Sequence, residues 1–202
     1  MTQIIAALYD SYDTAVSAVN ALEAYGIPAA DISLVANNAD DRYQAERPTH
    51  AAEGAGTGAG IGAIAGGVGG LLTGLGLLAI PGVGPVVAAG WLIATAAGAA
   101  TGAVVGGAAG GLVGALTGAG VPERDAQFYA EGVRRGGTLV TVRVDDVRAE
   151  AAREILYRYQ AVDPAARSAA YRESGWTSFD ENAPPYTAEQ IEAERARYRR
   201  DL

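Results

Sequence analysis

The chain has 202 residues and a formal net charge of −8 at pH 7. This acidic balance argues against a nucleic-acid partner, because phosphate backbones are bound by basic surfaces. The chain has no cysteine, and all 15 basic residues are arginine, which excludes disulfides, thiolate nucleophiles and catalytic lysines. The N-terminus has no basic region before its short apolar run, so we expect no signal peptide and a cytoplasmic location.

The N-terminal part alternates between strand and helix patterns. Residues 3–9 form a short run with β-branched side chains and predict a strand. Apolar residues at helical spacing predict a helix over 11–25. Alternation over 31–36 predicts a second strand, and the polar residues 37–53 predict a linker.

A long uncharged stretch follows. Residues 54–122 contain no charged side chain and hold 23 of the chain's 28 glycines. Glycine recurs there at a four-residue step, a pattern that lets helices approach backbone to backbone and is best known from membrane spans. The first ladder is Gly54, Gly58, Gly62, Gly66, Gly70 and Gly74. The second ladder is Gly98, Gly102, Gly106, Gly110, Gly114 and Gly118.

A proline–glycine cluster divides this stretch and predicts a hairpin turn at 80–85. Its members are Pro81, Gly82, Gly84 and Pro85. Residues 54–79 and 86–119 are then two predicted helices, and at about 1.5 Å per residue each exceeds the roughly 30 Å hydrocarbon core of a bilayer. Because each four-residue step turns beyond a full circle, the ladders wind around a straight helix and call for several close neighbours. They predict assembly.

The sequence leaves the environment of this glycine-zipper hairpin open. Its length and lack of charge favour insertion in the membrane, whereas the flanks are not basic and give no positive-inside signal. The alternative is a soluble homo-oligomer, a ring or particle whose hairpins form a shared apolar core that holds lipid or another apolar guest. Low-complexity disorder is disfavoured by the regular register and by the Leu, Ile and Val beside the ladders.

Strand and helix patterns return after the uncharged stretch. Proline followed by acidic residues predicts a helix over 122–135. The segment TLVTVRV at 138–144 is the clearest strand pattern of the chain. An amphipathic helix is predicted over 147–159. Residues 160–167 are a candidate edge strand, although Pro164 cannot donate to a ladder.

Together these elements predict an α+β fold with ferredoxin-like split strand–helix–strand halves and an inserted long Gly/Ala-rich helical hairpin. The first half and its acidic linker occupy 1–53. The hairpin occupies 54–122, and the second half occupies 123–167. Residues 168–202 form a C-terminal arm.

The arm is expected to pack through its aromatic residues, on its own body or on a neighbouring subunit. Trp176, Phe179 and Tyr186 are spread among glycine, asparagine and proline residues. Thr187 and Gln190 have the spacing of a capping box and predict a short helix from residue 187 to about residue 200.

The residues form no catalytic constellation, and we expect no enzymatic activity, no cofactor and no metal. His50 is the only histidine, which excludes a multi-histidine metal site. The pairs Asp40–Asp41 and Asp145–Asp146 have the ligand chemistry for a divalent cation. Neither fits an EF-hand pattern, and solvated turn residues explain both better.

Two further pairs of charged residues have structural interpretations. Asp10 and Asp13 are read as the N-terminal cap and first-turn acid of the first helix. Arg134 and Arg135 suit either a helix C-terminus or contact with anionic lipid head groups.

Several stretches resemble a known family. They are IIAALYDSYDTAVSAVNALEAYGIPAADISLVANN at the start, LLAIPGVGPVVAAG, VPERDAQFYAEGVRRGGTLVTVRVDD, and GWTSFDENAPPYTAEQI in the tail. The chain resembles the bacterial general stress protein family with a heat-induced, YflT-like domain, over nearly its whole length. The resemblance implies a stress-associated role and paired α/β halves, and it supplies no site residues.

The sequence therefore predicts a non-enzymatic, stress-associated bacterial protein. We expect it to oligomerise through the hairpin in or on the cytoplasmic membrane, with itself and lipid as partners.

Overall fold

A computed structural model describes residues 2–40, 76–92 and 111–198. Within these ranges the chain is an α+β structure with five strands and six helices. The strands are β1 (Thr2–Tyr9), β2 (Ile32–Asn37), β3 (Gly76–Ile80), β4 (Gly84–Gly90) and β5 (Thr138–Asp145). The helices are α1 (Tyr12–Ala24), α2 (Gly111–Gly118), α3 (Glu123–Arg134), α4 (Asp146–Arg158), α5 (Pro164–Glu173) and α6 (Ala188–Tyr198).

The five strands form one antiparallel sheet in the order β1–β5–β2–β4–β3. β5 lies between β1 and β2, which are therefore parallel to each other and are connected through α1. The register sets Leu8 opposite Leu139 and places Val140 opposite Leu34. All six residues of β2 are buried, because the strand has a neighbour on each side and helices above and below.

Helices cover both faces of the sheet. On the first face α1 and α4 pack through small and branched residues such as Val19, Leu22 and Leu156. On the second face α2, α3 and α5 bury Leu116, Phe128 and Tyr171, among others. The alternation of side chains along each strand supplies both cores.

The predicted helices over 54–79 and 86–119 are wrong where the structure describes them as strands. Residues 76–80 and 84–90 are β3 and β4, paired antiparallel with Gly76 opposite Ala88. Pro81, Gly82 and Val83 make the connecting turn, in which Gly82 has a φ of +72°. Gly84 and Pro85 are the first two residues of β4. Residues 84–90 carry no charge because β4 lies between two strands and has both faces covered. A buried apolar helix has the same uncharged sequence pattern.

The candidate edge strand over 160–167 is also wrong. Among the described backbone hydrogen bonds of residues 160–167, a single one joins β1: the Val162 N–H donates to the Leu8 carbonyl at 2.8 Å. Pro164 opens α5 instead, since its fixed φ suits the first turn of a helix. Asp163 caps this helix by accepting from the backbone N–H groups of Ala165 and Ala166 at 2.8 and 2.9 Å.

Several predictions fall outside the described residues. These are the first ladder, four glycines of the second ladder, His50 and the acidic linker beyond Asp40. The described ends of these segments are nevertheless informative. The chain enters β3 at Gly76 and leaves β4 at Gly90, which lie at the same end of the hairpin. The two glycine-rich segments therefore join the sheet side by side.

Three buried tyrosines predict a sharp alkaline transition. Burial raises the pKa of Tyr9, Tyr129 and Tyr171 well above the ordinary 10.0. In the unfolded chain these phenols ionise near pH 10, so the folded state holds more protons above that pH and its stability falls as pH rises. We expect the tyrosinate absorbance of these three residues to appear together with loss of the circular dichroism signal.

Ionisation of Tyr9, Tyr129 and Tyr171 while the circular dichroism signal stays unchanged would contradict the expectation.

Candidate functional site

The C-terminal arm packs on its own body, one of the two alternatives open from the sequence. Its first part runs over the β3–β4 turn, where glycine leaves room for it. A Cβ built on Gly82 would lie 2.7 Å from the Cα of Glu181, and one on Gly84 would lie 2.8 Å from the Cβ of Pro185. Arg134 Nη2 also donates to the Pro184 carbonyl at 3.1 Å. The arm and the turn are thus in direct contact.

The second part of the arm is α6, which begins with the predicted capping box. The Thr187 N–H donates to Gln190 Oε1 at 2.9 Å, and the Gln190 N–H donates to Thr187 Oγ1 at 3.3 Å. Farther along α6, Ile191 is fully buried over Gly136. Gly136 has a φ of +97° and, having no side chain, lets the helix approach. This docking brings charged residues of α6 against the end of α3.

A buried charge cluster forms at this junction. Glu131 is only 1% exposed, and its oxygens lie 3.5 Å from Arg134 Nη1 and 2.6 Å from Arg135 Nε. Arg135 Nη1 lies 3.2 Å from an oxygen of Glu194 on α6. The other oxygen of Glu194 is 2.8 Å from Arg197 Nη1. Each carboxylate is therefore shared between two guanidinium groups.

Two further ion pairs extend the cluster towards the rest of the fold. Arg195 donates to Asp40 at 2.6 Å and to the Gly136 carbonyl at 3.1 Å. Arg167 on α5 makes two hydrogen bonds of 2.7 Å to Asp10, and its Cζ lies 3.5 Å from the centre of the Tyr198 ring. The cluster thus ties the ends of β1 and β2 to α5 and α6.

The pairings determine the charge states of the buried arginines. Burial disfavours the charged form of Arg135, but the hydrogen bond and the charge of Glu131 outweigh it and raise the pKa of the guanidinium. Burial acts in the same way on Arg167, and the hydrogen bonds and charge of Asp10 raise its pKa. Both arginines remain cations at any physiological pH. The space between them, about 10 Å³, matches roughly one water molecule.

A larger cleft opens beside the cluster, between α6 and the chain that precedes it. Its volume is about 290 Å³, and Arg135, Ser174, Tyr186, Gln190 and Arg197 line it. This is close to the lower limit of small-molecule sites. The Tyr186 ring is covered by Arg134, whose Cζ is 4.9 Å from the ring centre.

The candidate metal ligands are engaged in structural roles. Asp145 is the N-cap of α4, and its Oδ1 accepts from the Arg148 N–H at 2.9 Å. Hydrogen bonds from the Arg148 backbone and side chain lower the pKa of Asp145. Asp146 accepts from Gln3 Nε2 at 3.1 Å. Within ranges 2–40, 76–92 and 111–198, no group of three or more His, Cys, Asp or Glu could hold a metal ion.

Asp10 has a different role from the predicted one. The N-cap of α1 is Ser11, which makes no side-chain capping bond, and Asp10 turns instead to Arg167. A bidentate pair with a buried arginine is a stronger interaction than a cap to a backbone N–H. Asp13 lies in the first turn of α1, as predicted.

The described part of the second ladder lies on the outer side of α2. Leu112, Ala115 and Leu116 are buried against the second core. Gly114 is half-buried and Gly118 is exposed. A Cβ built on Gly118 would meet no described atom within 4 Å. The body therefore holds α2 by its bulky residues and leaves these two ladder positions turned away from the core.

The part of the chain that is described contains no helix that is both long enough and apolar enough to cross a bilayer. No family model, curated protein or solved structure matches the chain. The resemblance to the general stress proteins accordingly stays a prediction.

Proposed function

We propose that the chain is a non-enzymatic protein that self-associates through its glycine ladders, in or on a membrane. The observation that carries the proposal is the placement of α2, whose bulky residues face the body while Gly114 and Gly118 face outward. Glycines at a four-residue step on the side of a helix away from its core allow a second helix to approach closely. Both glycine-rich segments connect to the same end of the β3–β4 hairpin, and this supports a joint role for the two ladders.

The charge cluster supports the non-enzymatic part of the proposal. A general acid or base needs a titratable group that can reach substrate. In the cluster Glu131, Glu194 and Asp10 are instead bonded to arginines. The cluster fixes the arm to the body, which is a structural role.

A ferredoxin-like relationship is part of the same proposal. It is supported by the β1–α1–β2 unit that encloses β5, since this is the split strand–helix–strand arrangement of that fold. The outer fourth strand would then be reduced to the single bond between Val162 and Leu8, and β3 and β4 would be additions on the other side. A stress-associated role follows only from the family resemblance.

If the ladders make the assembly contact, a larger side chain at a ladder glycine should reduce the particle mass. We expect Gly118→Leu to give a smaller or unstable particle, because a leucine there separates the approaching helices. The substitution leaves the subunit intact, since the site is open and leucine is the better helix former by up to about 1 kcal/mol. Gly66→Leu and Gly110→Leu apply the same test to ladder positions outside the described residues. Light scattering of protein purified without detergent measures the particle mass.

A leucine on an exposed helix surface elsewhere is the matched control. Glu154→Leu on α4 adds the same bulk at a position whose side chain is 70% exposed, and its particle mass should equal that of the parent protein. A monomeric parent protein, or an unchanged mass in all three ladder variants, would refute assembly through the ladders. Lipid content and resistance to carbonate washing then separate membrane association from the soluble particle that is its alternative.

A further inference from the structure

The cleft beside the charge cluster has an unusual balance of hydrogen-bonding groups. Its acceptors are already occupied. Both oxygens of Glu194 are paired with arginines, Gln190 Oε1 accepts from the Thr187 N–H, and Ser174 Oγ accepts from Arg135 Nη1. The Ser174 hydroxyl in turn donates to the Tyr171 carbonyl.

Donors remain on the same residues. Arg135 uses Nε and Nη1 for Glu131, Ser174 and Glu194, and no described residue accepts from its Nη2. Gln190 Nε2 and the Tyr186 hydroxyl likewise have no hydrogen-bond partner within the described ranges, although both residues line the cleft. Arg197 is 61% exposed, and among the described residues it is bonded through Nη1 alone. A ligand that fills this cleft must therefore be rich in acceptors.

We infer that this cleft binds a phosphate group, as free phosphate, a small phosphate monoester or a lipid head group. The charged residues that line the cleft are Arg135 and Arg197 against Glu194, a balance of one positive charge (two minus one). The four residues with free donors suit the three or more oxygens of a phosphate better than the two of a carboxylate. A volume of about 290 Å³ admits a phosphate and a small substituent.

The positions of the donors make the site partly preformed. Arg135 is held by its bonds to Glu131 and Glu194, so its free Nη2 is fixed in place. Gln190 is held by the capping box. Arg197 is largely exposed and bonded to Glu194 through Nη1, so its other N–H groups can reach a bound phosphate while that bond is kept. Preorganised donors lose little conformational freedom on binding.

The test uses two variants that leave the arm folded. Gln190→Glu keeps the acceptor of the capping box, because glutamate serves there equally well, but it replaces the free donor by a negative charge. Arg197→Ala removes an exposed cation. Titration calorimetry with inorganic phosphate should show binding to the full-length protein and roughly tenfold or weaker affinity in each variant.

Two matched substitutions control for net charge and for surface arginine. Gln160→Glu makes the same change after α4, and Arg153→Ala removes an arginine from an exposed pair on α4. Both should bind phosphate as the parent protein does. Equal weakening in cleft and control variants would mean that only overall charge matters and would overturn the site.

Vesicles distinguish the source of the phosphate. If the site takes a head group, binding to phosphatidic acid vesicles should fall in Gln190→Glu and Arg197→Ala, whereas binding to phosphatidylcholine vesicles should be the same in the parent protein and in both variants. If it takes a free anion, only the calorimetric titration responds to the variants. The inference is overturned if neither phosphate nor vesicles gives binding that depends on the two residues. Gly118→Leu should leave phosphate binding unchanged, so this result and that of the assembly test are independent.

Discussion

Replacing Glu131 by alanine is expected to lower the free energy of unfolding by about 3–5 kcal/mol, the usual effect of removing one partner of a buried ion pair. Glu131 is the carboxylate between Arg134 and Arg135, and its side chain is almost completely inaccessible. Its loss leaves two neighbouring cations with one carboxylate, Glu194, to pair with Arg135. Urea denaturation followed by circular dichroism measures the change.

Two variants separate the charge effect from the loss of packing. Glu131→Gln keeps the shape and one acceptor and should be less harmful than the alanine variant. Glu154→Ala removes an exposed i,i+4 partner of Arg158 and should change stability by less than about 1 kcal/mol. If Glu131→Ala and Glu154→Ala had equal effects, Glu131 would not hold the cluster together.

Much of the α/β body could be predicted from local patterns. The predicted strands at 3–9, 31–36 and 138–144 agree with β1, β2 and β5 to within two residues. Their β-branched alternation reflects side chains that go to two different cores. Proline, acidic residues and glycine delimit the helix at 122–135, and the amphipathic pattern predicts the helix at 147–159, so both signals are local.

The uncharged stretch shows where local patterns fail. Val86, Val87, Ala88 and Ala89 are all buried, because β4 has strands on both sides and helices over both faces. A continuous apolar run is equally typical of an apolar helix, and periodicity cannot separate the two. The turn residues Pro81 and Gly82 are compatible with a hairpin of either kind. Only the pairing of β4 with β2, some 50 residues away in sequence, decides the outcome.

The charge cluster could not be predicted for a different reason. In the sequence, Arg134 and Arg135 suit either a helix C-terminus or contact with lipid head groups, and neither interpretation includes Glu131. The partners in the arm, Glu194 and Arg195, lie 59 residues from Arg135 and Gly136. Ion pairs between residues so far apart in the chain produce no recognisable pattern in a single sequence. The glycines that admit the arm, Gly82 and Gly136, are likewise understood only once the arm is in place.

These long-range contacts connect the body with the proposed assembly. Asp40 is the last described residue before the first glycine-rich segment, and Arg195 of the arm holds it at 2.6 Å. Gly90 is near the exit to the second segment, and β4 is fixed there against β2. Residues far away in sequence therefore hold the described chain ends next to both glycine-rich segments. We expect a disturbance at either chain end to affect the proposed assembly as well as the fold.

Gly90→Ala tests the chain end before the second glycine-rich segment. We expect this variant to lower the free energy of unfolding by about 2–5 kcal/mol. Gly90 has a φ of +94°, and an alanine Cβ would collide with the Ile32 carbonyl oxygen and lie 2.7 Å from the Ser33 Cα. The left-handed conformation costs an L-residue about 1–2 kcal/mol, and forced separation of packed groups adds about 1–3 kcal/mol. Since both obstacles are backbone atoms of β2, a side-chain rotation cannot relieve the clash.

Gly26→Ala isolates the contribution of the collision. Gly26 has a nearly identical φ of +98°, but a Cβ there meets no described atom within 4 Å. This variant should therefore lose only the conformational part, about 1–2 kcal/mol, and keep the particle mass of the parent protein. Gly90→Ala should show the larger loss of stability in urea denaturation. It should also change the particle mass in light scattering, because the chain end before the second glycine-rich segment moves. Equal losses in the two variants would show that β2 and β4 do not approach as closely at this position as the pairing of Gly90 with Ser33 requires.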